Sequence, residues 1–473
     1  MNRYKYLFKN IGLLTLSNFT TKFLSFFLVP LYTNLLTTTQ YGTYDLFNTT
    51  IGVLLPILTL NIQEGVMRFA LDKNFNRKAI VTVSVKYLLI ANLLIILGLF
   101  LNSFFNISPV INEYGIFLFL MFFVQSLSGV LTCYIRGIDR IADLSVSSIF
   151  SSLITIILNI LFLLAFRWGL YGYFLANIIG PLVQCFYLVI RADIIQNIKF
   201  RDNYEEENDK MLRYSKPLIA NSIAWWVNNA SDRYVVIFFC GLAQNGIYSV
   251  ASKIPSILNI FQSIFNQAWT LSAVQDFDRE DKNGFFTNSY NIYNFGMVMI
   301  ASGLIFIDKI LAKFLYAKEF YIAWEYVPFL LISIVFGALS GYIGGIFSAV
   351  RNSKIFAVST IIGAAINIAM NIALVPFIGA MGAAIATAVS YFVVWAVRMK
   401  HVKKYIRLRI KLKRDILSYF ILVIQAIVLL FILDSFILYS SQMILIILLI
   451  LLYKKELKYW INKVWKIKKV RLQ

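Results

Sequence analysis

The chain is a succession of apolar runs of about twenty residues, the length a helix needs to cross a bilayer core of about 30 Å. Fourteen such spans can be read, roughly over residues 11–33, 44–66, 80–102, 115–135, 144–166, 169–190, 216–240, 246–270, 289–307, 325–350, 355–375, 380–397, 416–434 and 441–453. Hydrophobic residues make up 59% of the 473 and charged residues only 14%, which leaves little material for a water-exposed surface. The runs show no strict apolar/polar alternation, and that excludes a transmembrane β-barrel. An all-α polytopic membrane protein is expected. The first run, Ile11 to Tyr32, is too long for the apolar part of a signal peptide and lacks a small-residue cleavage pattern, so it is expected to stay as a span.

Lys and Arg set the orientation, because basic connections stay in the cytoplasm. With the N-terminus inside, the cytoplasmic segments hold 36 of the 44 basic residues; the opposite loops hold four (Arg167, Lys309, Lys313, Lys318) and the spans another four (Lys22, Lys86, Arg233, Lys253). Both termini are therefore expected in the cytoplasm. The same count accounts for the net charge of +21 without nucleic acid. The basic block from Arg398 to Arg414 and the tail from Lys454 to Arg471 flank spans, where cations meet anionic headgroups.

Cys133, Cys185 and Cys240 are widely spaced within apolar runs, which rules out a CxxC site and a disulfide framework and suits small buried hydrophobes. His401 is the only histidine and has no carboxylate beside it in sequence, so no metal site is expected. No GxxxxGK[ST] loop is present, which argues against direct ATP drive. The loops opposite the cytoplasm are too short for an external catalytic domain, and neither enzymatic activity nor a cofactor is expected.

An internal repeat divides the chain. Tyr41-Gly42-Thr43-Tyr44 after the first span matches Asn245-Gly246-Ile247-Tyr248 after the seventh. Asn159, followed by Gly169 and Gly172, matches Asn371, followed by Gly379 and Gly382, with a two-residue difference in spacing, and the fourth and tenth spans both end in Arg, at Arg136 and Arg351. Two six-helix halves in a parallel repeat are expected, over 1–190 and 216–398. Between them, 191–215 reads as a solvated cytoplasmic linker with the acidic patch Glu205-Glu206-Glu207-Asn208-Asp209. Residues 399–473 supply a basic loop, two additional helices and a basic tail. Small residues at Gly337-Ala338-Leu339-Ser340-Gly341 and Gly363-Ala364-Ala365 suit close helix packing.

A charge at bilayer depth costs roughly 2.5–3.5 kcal/mol on insertion scales, so it is kept only where it is paired or faces a polar interior. Lys22 falls near the middle of the first span, and Arg233 and Lys253 fall in the outer part of the seventh and eighth. These three are the candidate substrate-binding cations. Asp232, Glu64, Arg68 and Asp45 are candidate supporting or ion-coupling groups. Glu64 and Arg68, four apart, share a helix face and can pair. Asp232 and Arg233 project about 100° apart on a helix; Arg233 is expected to face a cavity, with Asp232 anchoring it or a neighbouring Lys. Structural ion pairs of Lys22 or Lys253 with Asp45 or Asp232 are the alternative. Trp225, Trp226 and Trp269 are candidates for a sugar path through ring stacking, or else serve helix packing or an interfacial belt.

The stretch from Tyr214 to Trp269 carries Pro217, Asn221, Trp225-Trp226, Asp232-Arg233-Tyr234, Asn245 to Ser249, Lys253, Pro255 and Phe265-Asn266-Gln267-Ala268-Trp269. With the segment PLYTNLLTTTQYGTYDL from Pro30 to Leu46, it resembles the Wzx-type polysaccharide flippases, in the MOP superfamily that also holds MATE multidrug exporters and MurJ-type lipid II flippases. The general layout is similar from Met1 to about Arg398. The resemblance implies a MATE/MurJ-like V-shaped architecture with a polar cleft between the halves. It also implies a cargo, undecaprenyl-pyrophosphate carrying an oligosaccharide repeat unit of O-antigen, capsule or another polysaccharide. That cargo would move between leaflets of the bacterial cytoplasmic membrane by alternating access, coupled to protons or sodium with Glu64, Asp45 or Asp232 as candidate carriers, and would pass to polysaccharide polymerase machinery. Three other readings stay open. A MurJ-like lipid II flippase shares architecture and headgroup, a MATE-like exporter calls for an acidic cavity, and a membrane polymerase calls for a substantial external loop.

The charge count makes a direct prediction. In a bacterial host, green fluorescent protein fused after Gln473 should fluoresce and alkaline phosphatase fused after Arg167 should be active; the opposite pair of results would invert the topology.

Overall fold

In hydrocarbon a lone backbone segment satisfies its N–H and C=O groups only as a helix. The computed structural model describes residues 26–200, 202–275, 277–350 and 353–457, and these form helices and turns without a strand. In chain order the helices are α1 (Val29–Leu35), α2 (Thr38–Leu58), α3 (Ile62–Ala70), α4 (Arg77–Phe105), α5 (Pro109–Gly137), α6 (Ile141–Asn159), α7 (Gly169–Arg191), α8 (Ile194–Asn197), α9 (Glu205–Ala251), α10 (Lys253–Gln275), α11 (Phe285–Leu315), α12 (Val327–Ala349), α13 (Ser353–Ile378), α14 (Ala380–Val402), α15 (Leu412–Phe431) and α16 (Ser435–Leu452). A π-helical segment, Ile160–Ala165, prolongs α6, and a 3₁₀ segment, Lys318–Glu325, precedes α12.

Among the described residues eleven helices are long and apolar enough to cross a membrane, or twelve if the bent pair α2 and α3 is one span. The protein is a multi-pass membrane protein. Most of the first expected span, Lys22 with it, lies outside the described residues, as do Arg351 and the tail beyond residue 457. The eighth expected span is helical, but α10 carries Asn259, Gln262 and Asn266 along one stripe and is too polar to count among the eleven.

Local sequence explains where the helices begin and break. Thr37 and Gln40 close a reciprocal capping box at the start of α2, each side chain bonding the other's backbone N–H, at 3.2 and 3.0 Å. The second expected span, 44–66, is not continuous: Leu60 and Asn61 both take left-handed backbone angles, and α2 and α3 meet at 64°. The break is covered by α9, where Asn61 Nδ2 donates to Ser222 Oγ at 3.2 Å. The acidic patch expected to be a solvated linker is largely exposed and helical. Asn203 Oδ1 accepts from Glu205 N, Glu205 to Glu207 fill the first turn of α9, and the pairs Lys210–Glu206 and Arg213–Asp209 stand one turn apart. Carboxylates at a helix N-terminus complement its dipole, so this composition favours a helix start.

The chain divides into two compact units, 1–230 and 231–473. In the first, α3 and α4 pack on α5, α5 packs on α7, and α6 packs on α7. Its core holds Ile62, Val66, Leu131, Ile135 and Leu188 at one level and Phe47, Ile51, Phe122 and Phe174 at another. In the second, α10 and α11 pack on α12, α12 packs on α14, and α13 packs on α14. The pairing order is the same in both units. Helix α15 is added against α11, and α16 against α15 and α11.

The repeat is sharpest in the α6/α7 and α13/α14 hairpins. Ser145-Val146-Ser147-Ser148-Ile149 through Asn159 aligns residue for residue with Ala357-Val358-Ser359-Thr360-Ile361 through Asn371. The two-residue excess of the first hairpin lies at its tip, where the chain leaves the helix over 166–168 and the second hairpin has only Gly379. Beyond it the register resumes: a Cβ on Gly172 would come within 2.8 Å of Phe162 Cβ, and one on Gly382 within 2.8 Å of the Leu374 carbonyl carbon. Gly379, at φ 59° and ψ −147°, supplies the turn into α14 in a conformation that excludes a side chain.

Gly172→Val and Gly382→Val should each cost about 1–3 kcal/mol through overpacking, measured as a lower unfolding temperature of the detergent-purified protein. Gly98→Ala, where an added Cβ meets nothing within 4 Å, should leave it unchanged.

Candidate functional site

The charged pair singled out in the sequence sits on α9. Asp232 is buried, and its Oδ2 accepts from Tyr248 Oη at 2.6 Å. A continuous helix would separate these residues by roughly 24 Å, so the chain reverses between them, and it does so at Gly241, with φ 83° and ψ 174°. Only glycine enters that region readily.

Thr387 on α14 brings its Oγ1 to 3.4 Å from the same Asp232 oxygen. Asn367 Nδ2 donates to Thr387 Oγ1 at 3.3 Å, and Asn371 Nδ2 donates to Asn367 Oδ1 at 3.0 Å. Five polar side chains from α9, α13 and α14 thus form one buried network around a single carboxylate. Tyr248 and Thr387 of the same unit both reach one oxygen of Asp232. Among the described residues no group of three or more His, Cys, Asp or Glu side chains is placed to hold a metal ion.

Arg233, the next residue, is half-buried. Lys253 is also half-buried and opens α10 just after the helix breaks at Ser252. Since α10 returns from the Gly241 reversal, Lys253 lies roughly 8 Å deeper along its helix than Tyr248. On α10 the buried stripe Ile254, Leu258, Trp269 and Ala273 is apolar, and the stripe Asn259, Gln262, Asn266 is polar and less buried.

The remaining candidates separate. Asp45, Glu64, Arg68, Trp225 and Trp226 belong to the first unit, and Asp232, Arg233, Lys253 and Trp269 to the second. Asp45 is buried on α2, beside Tyr44, whose ring lies 4.4 Å from that of Tyr173. Glu64 and Arg68 do share a face of α3, but both are exposed and, among the described residues, no ion pair joins them. Exposed partners gain little from pairing and lose side-chain entropy.

Trp269 is a packed residue. It is 4% exposed, donates from Nε1 to the Tyr342 carbonyl at 2.8 Å, and stacks on the Tyr342 ring at 3.9 Å. Trp226 donates to the Thr49 carbonyl at 2.9 Å and lies against Gly52. Trp225 is 46% exposed and is the member of the trio with a face open to a ligand or to lipid.

One cation escaped the sequence reading because it was grouped with the basic loop. Arg398 lies inside α14, buried, donating from Nε to Ser359 Oγ at 2.9 Å, from Nη1 to the Ser340 carbonyl at 2.8 Å and from Nη2 to Thr360 Oγ1 at 2.9 Å, with its guanidinium 4.2 Å from the Phe356 ring centroid. In the first unit the matching hydroxyls, Ser147 and Ser148, are reached by the neutral amide of Gln184, at 3.4 and 2.9 Å. The hydroxyl pair repeated in sequence was the signal.

The fold is that of a multi-pass helical membrane protein with a buried carboxylate network in its second unit. Its fold is shared with the lipid II flippase MurJ in an inward closed conformation, with a TM-score of 0.69 at 16% identity over 95% of this chain and 99% of that one. An inward-facing multidrug resistance MATE family transporter of the MOP superfamily gives 0.64 at 13% identity, over 83% and 95%. A MOP superfamily transporter from Pyrococcus furiosus, whose binding pocket is described as reversed in polarity, gives 0.53 at 15% identity, over 84% and 94%. None of the curated protein sequences matches. Residues 7–271 match the family described as polysaccharide biosynthesis protein, and the chain belongs to that family.

Trp269→Ala should cost about 3–5 kcal/mol of stability, seen as reduced membrane abundance and a lower unfolding temperature, whereas Trp225→Ala should change neither.

Proposed function

We propose that the protein flips a polyprenyl-pyrophosphate-linked oligosaccharide, of the Wzx type, from the inner to the outer leaflet of the cytoplasmic membrane, with both termini inside. The observation that carries this reading is membership of a polysaccharide biosynthesis family on the fold of MurJ and MATE. The pyrophosphate and sugars cannot enter hydrocarbon without losing hydration at prohibitive cost, while the polyprenyl tail can stay in lipid. Half-buried Arg233 and Lys253 on the α9–α10 hairpin are the cations assigned to the headgroup, with Lys22 as a third. Guanidinium binds phosphate bidentately and Lys acts as a point charge. The cycle is alternating access. Asp232, held by Tyr248 and Thr387, is the assigned carrier of a coupling proton or sodium ion, since a change in its occupancy alters hydrogen bonds to two further helical segments.

The test is the sidedness of lipid-linked oligosaccharide in cells lacking the protein. Accumulation on the cytoplasmic leaflet should be relieved by wild type and not by Arg233→Ala or Lys253→Ala, each present in the membrane at normal level. Accumulation on the outer leaflet would point to a polymerase, and full export by both variants would remove the site assignment.

A further inference from the structure

Asp308, on α11, is fully buried, and among the described residues neither of its carboxyl oxygens has a hydrogen-bond partner. Its neighbour Lys309 does not neutralise it through an ion pair; the ammonium lies 4.3 Å from the ring centroid of Trp324. The other titratable groups at this level are Tyr321 and Glu325 of the 3₁₀ segment and Tyr439 of α16, which packs its ring on Phe306. Asp434 caps α16 through Ile437 N and Lys313 is exposed. Helices α12 and α15 bring no charged residue to this end. An ionised carboxylate so placed would lose its hydration without compensation, whereas the neutral acid would not.

Asp308 is also not isolated. Arg414 and Tyr419 of α15 bond Asn291 and Asn294 of α11 in that order, so the two helices run in the same direction. Counting from those ties, Ser302 lies roughly 12 Å beyond Asn294 on α11 and Gln425 roughly 9 Å beyond Tyr419 on α15. Both are fully buried, and Ser302 Oγ and both polar atoms of Gln425 lack a partner. Gln442 of α16 donates to the Gln425 carbonyl and leaves its own Oε1 without one. Asp308 follows Ser302 by roughly 9 Å. Buried polar groups of this kind are ordinarily satisfied by water.

We propose that Asp308 is a proton-binding site, and that Ser302, Gln425 and Gln442 form a hydrated seam between α11, α15 and α16 connecting it to the Asn294 network. The carboxylate takes up one proton to become the acid and releases it again; no other bond changes. This site stands apart from Arg233, Lys253 and the cargo, and its test requires no transport.

The experiment treats the full-length protein in lipid at neutral pH with dicyclohexylcarbodiimide, which modifies protonated carboxyls in apolar surroundings, and maps adducts by mass spectrometry. An adduct at Asp308 is expected, and infrared spectra should show a protonated-carboxyl band that is lost in Asp308→Asn. Absence of both the adduct and the band in wild type would overturn the site. Ser302→Ala combined with Gln425→Leu should keep the band and slow its shift on transfer to heavy water several-fold; an unchanged rate would overturn the seam. If Asp308→Asn fails to fold, the adduct in wild type still decides.

Discussion

A polar group without a partner in hydrocarbon costs several kcal/mol, and this constraint governs where the chain is allowed to depart from a helix. Two departures are each covered by a specific bond. The Leu60–Asn61 break is met by Ser222, and the Gly241 reversal is locked by Tyr248 on Asp232. Arg398, a full charge inside α14, survives because hydroxyls and a carbonyl from α12 and α13 receive its N–H groups and Phe356 covers its face. Burying a cation this way ties three helices together, and removing any one acceptor would leave a charge unsatisfied.

The spans were legible because hydropathy over twenty residues is a strong signal, and the repeated hairpin because Asn159/Asn371 and the paired glycines sit at fixed places in it. What the sequence concealed depends on where helices end. The patch Glu205 to Asp209 looked like a solvated linker, yet Asn203 caps it and the carboxylates suit a first helical turn. Asp308 and Lys309 fall just past the expected end of the ninth span at 307, and Lys309 counts there as a loop cation; α11 continues to Leu315 and carries Asp308 into the interior. Asp232 was found through its charge. Its partners Tyr248, Asn367, Asn371 and Thr387 are neutral, and a search for charge could not have gathered them. Trp269 shows the converse, an aromatic residue whose type suits sugar stacking but whose surroundings leave no open face.

The two units use one scaffold for different electrostatics. At the hydroxyl pair of the hairpin, the first has the amide of Gln184 and the second the guanidinium of Arg398. Where the second links Asn367 and Thr387 to Asp232, the first has Thr155 and Asn177, whose hydroxyl and amide bond carbonyls of their own helices at 2.8 Å. At these matched hairpin positions the charged groups thus belong to the second copy of the duplicated frame, while the first keeps neutral side chains there.

The turn at 166–168 gives this duplication a physical record. Two residues present in one hairpin and missing from the other would, inside a helix, rotate everything beyond them by more than half a turn. Here they fall where the chain leaves the helix, 166–168 standing against the single turn residue Gly379, so Asn159 before the turn and Gly172 and Asn177 after it keep their counterparts. A hairpin tip is thus a place where such a chain can change length while the faces on either side stay in phase.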